Sequence, residues 1–172
     1  MVRAINEDRT PNLFALHYEP SSWRVVNVVL IPHFAFPLSA IEKRRPLGPN
    51  ARRAGWVGCN ILLHAIPFDA RIAVVAGGQA LPPHGVRQQY ARIRPLAKFE
   101  PQRRGWALDV LNAVRSLGMT EFSLRDAYQL KDTLQQLHPD NRHVRDKIRQ
   151  QLQVLRDLGL LKFIGKGHYR VV

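Results

Sequence analysis

The spacing of apolar residues changes once along this chain, near residue 98, and that change constrains the fold more tightly than anything else in the sequence. Before it, apolar residues come in short blocks rich in β-branched and aromatic types, separated by proline and glycine. After it, they recur every three or four residues. A period near 2 suits a strand and one near 3.6 suits a helix. The 172 residues therefore read as an α+β chain in two parts, β-rich over 1–98 and largely helical over 99–172.

Three helices are expected in the second part. Trp106, Val110, Val114 and Leu117 share one helical face, and Gly118 follows as a stop. A short extended piece, Thr120–Phe122, leads to Ser123, which with Asp126 has the spacing of a capping box. The next helix carries Leu124, Ala127, Tyr128, Leu134 and Leu137, and ends at His138-Pro139-Asp140-Asn141, where proline forbids continuation. A third runs from about Arg142 to Leu158 and stops at Gly159. Val144, Ile148, Leu152 and Leu155 form its apolar stripe. Leu160–Ile164, Gly165-Lys166-Gly167 and His168–Val172 make a terminal hairpin.

Three helices followed by a small hairpin is the order of a winged helix-turn-helix. The third helix buries one face and offers cations and amides on the other, which suits a major groove, where Arg reads guanine and Gln reads adenine. Arg142, His143, Arg145, Arg149, Gln150 and Gln153 are its candidate DNA contacts. Lys166, His168 and Arg170 on the wing are placed to grip a neighbouring phosphate.

In the first part, Asn12–Tyr18 and Trp23–Ile31 read as strands joined through the turn Glu19–Ser22, an antiparallel pair. Arg71–Val75 reads as a further strand closed by Gly77-Gly78. Pro37–Pro49 reads as a proline-rich loop, followed by the segment Ala51–Asn60. Pro82-Pro83 and the stretch Arg92–Arg103 read as a linker.

Charge narrows the partner. The net charge is +13, with 13 Lys and Arg against 5 Asp and Glu in residues 1–98, and 13 against 8 in 99–172. Both parts favour a polyanion. No apolar run approaches the ~18 residues of a membrane span. Cys59 is the single cysteine, which rules out an internal disulfide and a thiolate zinc site; it is expected as a small buried side chain. The histidines are scattered without metal-ligand spacing, and no Ser or Cys is paired for nucleophilic work. The expected partner is double-stranded DNA, bound by a monomer in the cytoplasm.

Two stretches carry a more specific resemblance. The run Lys147–Asp157 continuing to Gly165–Arg170 resembles the C-terminal domain of the DpnI and Dam-replacing family. Ala51-Arg52-Arg53-Ala54-Gly55-Trp56-Val57-Gly58-Cys59-Asn60 is similar to a stretch of that family's nuclease domain, and the resemblance covers the chain from Met1 to Val172. It implies methyl-directed type II restriction endonucleases of bacteria, which cut GATC sites carrying N6-methyladenine. It also implies a PD-(D/E)XK nuclease domain with a zinc site, joined to a winged helix, with both parts reading the methylated site. By the resemblance, Trp56 faces the adenine methyl, and an indole face is a suitable large, flat, apolar reader. Arg52 and Arg53 would hold phosphate or base edges.

The departure is as informative. The family's Asp and Glu-x-Lys motif and its Cys-x-x-Cys pairs would lie upstream of Met1, so residues 1–98 are expected as a truncated remnant of the nuclease domain. No acidic residue here has a lysine two positions on, and Glu7, Glu42 and Asp69 are followed there by arginine, a permanently protonated stand-in. Without carboxylates to hold Mg²⁺, the chain is expected to bind methylated GATC without cutting it, with no catalytic residue, metal or cofactor of its own. Two alternatives stay open: an active endonuclease if the true chain extends upstream, and a winged-helix regulator without methyl preference.

Overall fold

The computed structural model describes all 172 residues. A short helix α1 (Val2–Asn6) precedes the hairpin β1 (Leu13–Tyr18) and β2 (Val25–Ile31), paired antiparallel from Leu13↔Ile31 to Tyr18↔Val25. Next comes a second hairpin, β3 (Ile41–Lys43) and β4 (Cys59–Ile61). β5 (Ile72–Ala76) returns to pair antiparallel with β2, and β6 (Gln79–Ala80) completes a four-stranded sheet in the order β1-β2-β5-β6. The chain then forms α2 (Pro83–Ile93), α3 (Pro101–Ser116), β7 (Glu121–Ser123), α4 (Leu124–Gln129), α5 (Lys131–Leu137) and α6 (Val144–Asp157). It ends on β8 (Leu161–Gly165) and β9 (His168–Val171), with β9 central in a small sheet β7-β9-β8. The architecture is α+β with a C-terminal winged helix-turn-helix, as the sequence indicates.

Three expectations need correction. The linker expected at Pro82-Pro83 and over Arg92–Arg103 is almost entirely helical: α2 starts at Pro83, a 3₁₀ turn covers Arg94–Lys98, and α3 starts at Pro101. Proline lacks an N–H that a first helical position would not use, so here the prolines open helices rather than interrupting them. Val86, Tyr90, Ile93 and Leu96 then supply the apolar stripe that docks this stretch on the core. The proline-rich loop Pro37–Pro49 contains β3, which pairs with β4 across a long excursion and so leaves no local turn signal. The second helix of the winged domain breaks at Leu130 (φ −78°, ψ 0°) into α4 and α5. No Gly or Pro marks that break; Ala127 and Leu134 on either side both pack into the common core.

The core is one cluster of 28 buried side chains that crosses from the first part to the second. α3 lies at its centre. The expected face (Trp106, Val110, Val114) is buried, and so are Ala107, Leu108, Asp109 and Leu111. A helix covered all round must have neighbours on every side, and α3 packs against α1, α5, α6 and the 3₁₀ turn at His33–Ala35. The outer face of edge strand β1 instead leaves Phe14, Leu16 and Tyr18 exposed.

Because the core is continuous, Leu108→Ala is expected to cost about 2–5 kcal/mol and to lower the stability of both parts together. Urea unfolding followed by tryptophan fluorescence and by far-UV circular dichroism should then give one coincident transition. Two resolved transitions, with only one shifted by the substitution, would contradict a shared core.

Candidate DNA interface

On α6 the expected stripe is the buried one: Val144, Ile148, Leu152 and Leu155, joined by Gln151 and Val154. Arg145, Arg149, Gln150 and Gln153 are exposed, as are Arg142 and His143 just before the helix. The Arg145 guanidinium rests over the Tyr128 ring of α4, 4.7 Å from its centre, which limits its freedom while leaving its edge outward. The turn that sets the angle of α6 is held by a residue the sequence reading missed. Gln135 Nε2 donates to the carbonyls of His138 (3.2 Å), Pro139 (3.2 Å) and Asn141 (2.9 Å). Asn141 Oδ1 accepts the His143 N–H at 2.8 Å and leads the chain into α6. A single glutamine near the end of α5 carries no spacing signature.

The wing tip turns over Lys166 (φ 47°) and Gly167 (φ 76°), both left-handed, the pattern of a type I′ hairpin. Gly167 C=O accepts the Leu124 N–H at 2.8 Å, so the wing is fastened to the start of α4. Lys166 and His168 are exposed. Arg170 is also at the surface, but its guanidinium lies across the sheet on Glu121 (2.6 Å), so a phosphate would have to share it.

The capping box is complete. Ser123 Oγ accepts the Asp126 N–H at 3.2 Å, and Asp126 Oδ2 accepts the Ser123 N–H at 2.8 Å and its hydroxyl at 2.7 Å. The Ser123 side-chain bond, then its N–H, hold the Asp126 carboxyl below its ordinary value of 3.8, with smaller help from His168 and Arg125.

Arg52, Arg53 and Trp56 sit together on the excursion between β3 and β4. Backbone bonds prolong that hairpin outward: Arg44 N–H to Gly58 C=O (3.0 Å), Leu47 N–H to Trp56 C=O (2.9 Å) and Gly55 N–H to Leu47 C=O (3.0 Å). Trp56 is 53% exposed, so it is not a core tryptophan. Its ring lies on Gly58, where an added Cβ would stand 2.9 Å from Cζ3 and 3.0 Å from Cη2. Only a glycine lets the indole lie there. Lys43, Arg44 and Arg45 are exposed on the same hairpin, and the sequence reading passed them over inside the supposed loop. Cys59, expected buried, is exposed on β4, because this two-stranded ribbon stands out from the core. No hydrogen bond, ion pair or ring contact joins this hairpin to α6 or to the wing.

The carboxylates do not fit a divalent metal. No group of three or more His, Cys, Asp and Glu is placed to hold one. Of the acidic residues followed by arginine at the second position, Glu7, Glu42 and Asp69 are already engaged. Glu7 lies between Arg3 and Arg9, Glu42 accepts from Asn60 at 2.8 Å, and Asp69 is gripped by Arg115.

A winged helix-turn-helix with this exposed basic helix and wing defines a DNA-binding protein. No helix is long and apolar enough to cross a membrane. Comparison with protein families agrees: the DpnI model, described as the Dam-replacing family, matches residues 1–99, and that of the Dam-replacing HTH domain matches residues 102–171. The chain belongs to the Dam-replacing family.

The capping box carries an acid dependence. A carboxyl whose folded value is lowered stabilises the fold above its unfolded value near 3.8, and that contribution is lost as pH falls through the lower folded value. The stability difference between the parent and Asp126→Asn should therefore be largest near neutrality and shrink in acid, as followed by denaturant midpoints. A difference that stays constant through the acid range contradicts the assignment.

Proposed function

We propose that the chain is a monomeric reader of duplex DNA that prefers GATC sites carrying N6-methyladenine. In this reading α6 enters the major groove, where Arg145, Arg149 and Gln150 meet base edges. The wing, through Lys166 and His168, and the basic hairpin hold phosphates. Trp56 lies against the adenine methyl. The role proposed for the chain is recognition. The single observation that carries the proposal is the indole of Trp56, half exposed and resting against Gly58, with Arg44 beside it and the exposed Arg52 and Arg53 a few residues away in sequence. A large apolar surface kept in water amid cations needs a partner that is itself both apolar and anionic, and a methylated base in a duplex is one.

Two expected outcomes test it. Duplex affinity should fall steeply with salt, with a log–log slope of about −4 to −5 if roughly five phosphates are contacted. Arg149→Ala should weaken binding to GATC more than to unrelated duplex, by about 1–3 kcal/mol if its contact is bidentate. A slope near zero assigns the positive charge to solubility instead.

Trp56→Ala should erode the preference for methylated over unmethylated GATC while leaving the salt slope unchanged, since an indole carries no charge. Gly58→Ala should do the same with the indole still present, because the new methyl displaces the ring. Equal discrimination by the parent and both folded variants would leave a winged-helix regulator without methyl preference.

A further inference from the structure

We infer that three polar residues on α3, Asp109, Asn112 and Arg115, are positioning residues that set the Trp56 hairpin at a fixed angle to the recognition helix. The inference rests on the methyl-reading function proposed above. The three stand at successive intervals of three, so they form one ridge along the helix. Two of them reach the roots of the hairpin, and the third holds the 3₁₀ turn Phe68–Ala70, through which the chain passes from the hairpin to β5. Ser39, two residues before β3, donates its hydroxyl to Asp109 Oδ1. On the far side of the hairpin, Asn112 Nδ2 donates to the His64 carbonyl at 3.3 Å. Arg115 then grips Asp69 with two bonds, Nε to Oδ2 at 2.9 Å and Nη2 to Oδ1 at 2.5 Å.

The same ridge is tied to the DNA-binding domain. The second oxygen of Asp109 lies 2.9 Å from Nε2 of His138, in the turn between α5 and α6, and that imidazole stacks on Trp106 with ring centres 3.6 Å apart. Arg115 Nη2 also donates to the Val172 carbonyl at 3.0 Å, just past the last strand of the wing. Arg92, closing α2, joins both Asp69 (3.2 Å) and Val172. Two carboxylates thus bridge the parts, and both are desolvated: the side chains of Asp109 and Asp69 are 3% and 1% exposed.

Apolar packing would hold the two parts together without fixing their rotation. A desolvated carboxylate must keep its partners, and a forked guanidinium contact fixes direction as well as distance. Energy for the junction therefore comes from the shared apolar core, and its angle comes from this ridge.

The test uses the full chain with nitroxide labels at the native Cys59, on β4, and at Asp157→Cys, at the end of α6. Pulsed electron resonance then reads the distance distribution between hairpin and helix without DNA. The parent should give one narrow distribution. Asp109→Ala and Arg115→Ala should broaden it and lower the methylated-to-unmethylated binding ratio at unchanged salt slope, with Arg115→Lys intermediate. Should either alanine variant fail to fold by circular dichroism, Asn112→Ala removes one partly exposed contact and is expected to broaden the distribution less. A parent distribution that is already broad, or folded alanine variants as narrow as the parent, overturns the inference. If the parent shows no methyl preference, the function proposed above fails, and the distances alone still decide the positioning role.

Discussion

Everything in this molecule depends on α3 having no solvent face over its central turns. A helix with Ala107, Leu108, Val110, Leu111 and Val114 all withdrawn from water cannot belong to one small domain alone. It needs apolar surface on all sides. The winged domain supplies part of that surface through α6. The N-terminal sheet layer supplies the rest, through the 3₁₀ turn at His33–Ala35 and the neighbouring core residues. Two elements distant in sequence and proposed to meet DNA, the Trp56 hairpin and α6, are therefore built out from one buried axis.

In the proposed reading, that arrangement separates affinity from selectivity. Most cations of the winged domain and of the hairpin are exposed, suited to phosphates at any sequence. The parts that would discriminate are held. Arg145 lies on Tyr128, the turn before α6 is tied by Gln135, and the indole of Trp56 rests on Gly58. Side chains already ordered before binding lose less entropy when they meet a base, and that is where specificity is most economically placed.

Much of this was legible in the sequence, and the gaps have physical causes. The stripe Val144, Ile148, Leu152 and Leu155, the stop at Gly159 and the box Ser123–Asp126 are local signals, and the structure follows each of them. The family resemblance came from contiguous runs and is matched over both parts of the chain. What failed was non-local. β3 and β4 pair across a long excursion, so their three-residue strands looked like loop. Pro82, Pro83 and Pro101 suggest a linker in the sequence, whereas in the fold Pro82 caps α2 and Pro83 and Pro101 open helices. The polar contacts of Asp109, Gln135 and Arg115 have no periodicity at all, because what they satisfy is set by where other segments arrive.

The most direct measurement places the methyl group itself. A GATC duplex carrying N6-methyladenine with a ¹³C-labelled methyl, bound to the full chain, allows isotope-filtered nuclear Overhauser contacts from that methyl to be assigned. The account predicts contacts to the indole protons of Trp56, which disappear in Trp56→Ala while the shifts along α6 persist. A methyl in contact only with residues of α6, or with no protein proton while the duplex is saturated, would contradict it.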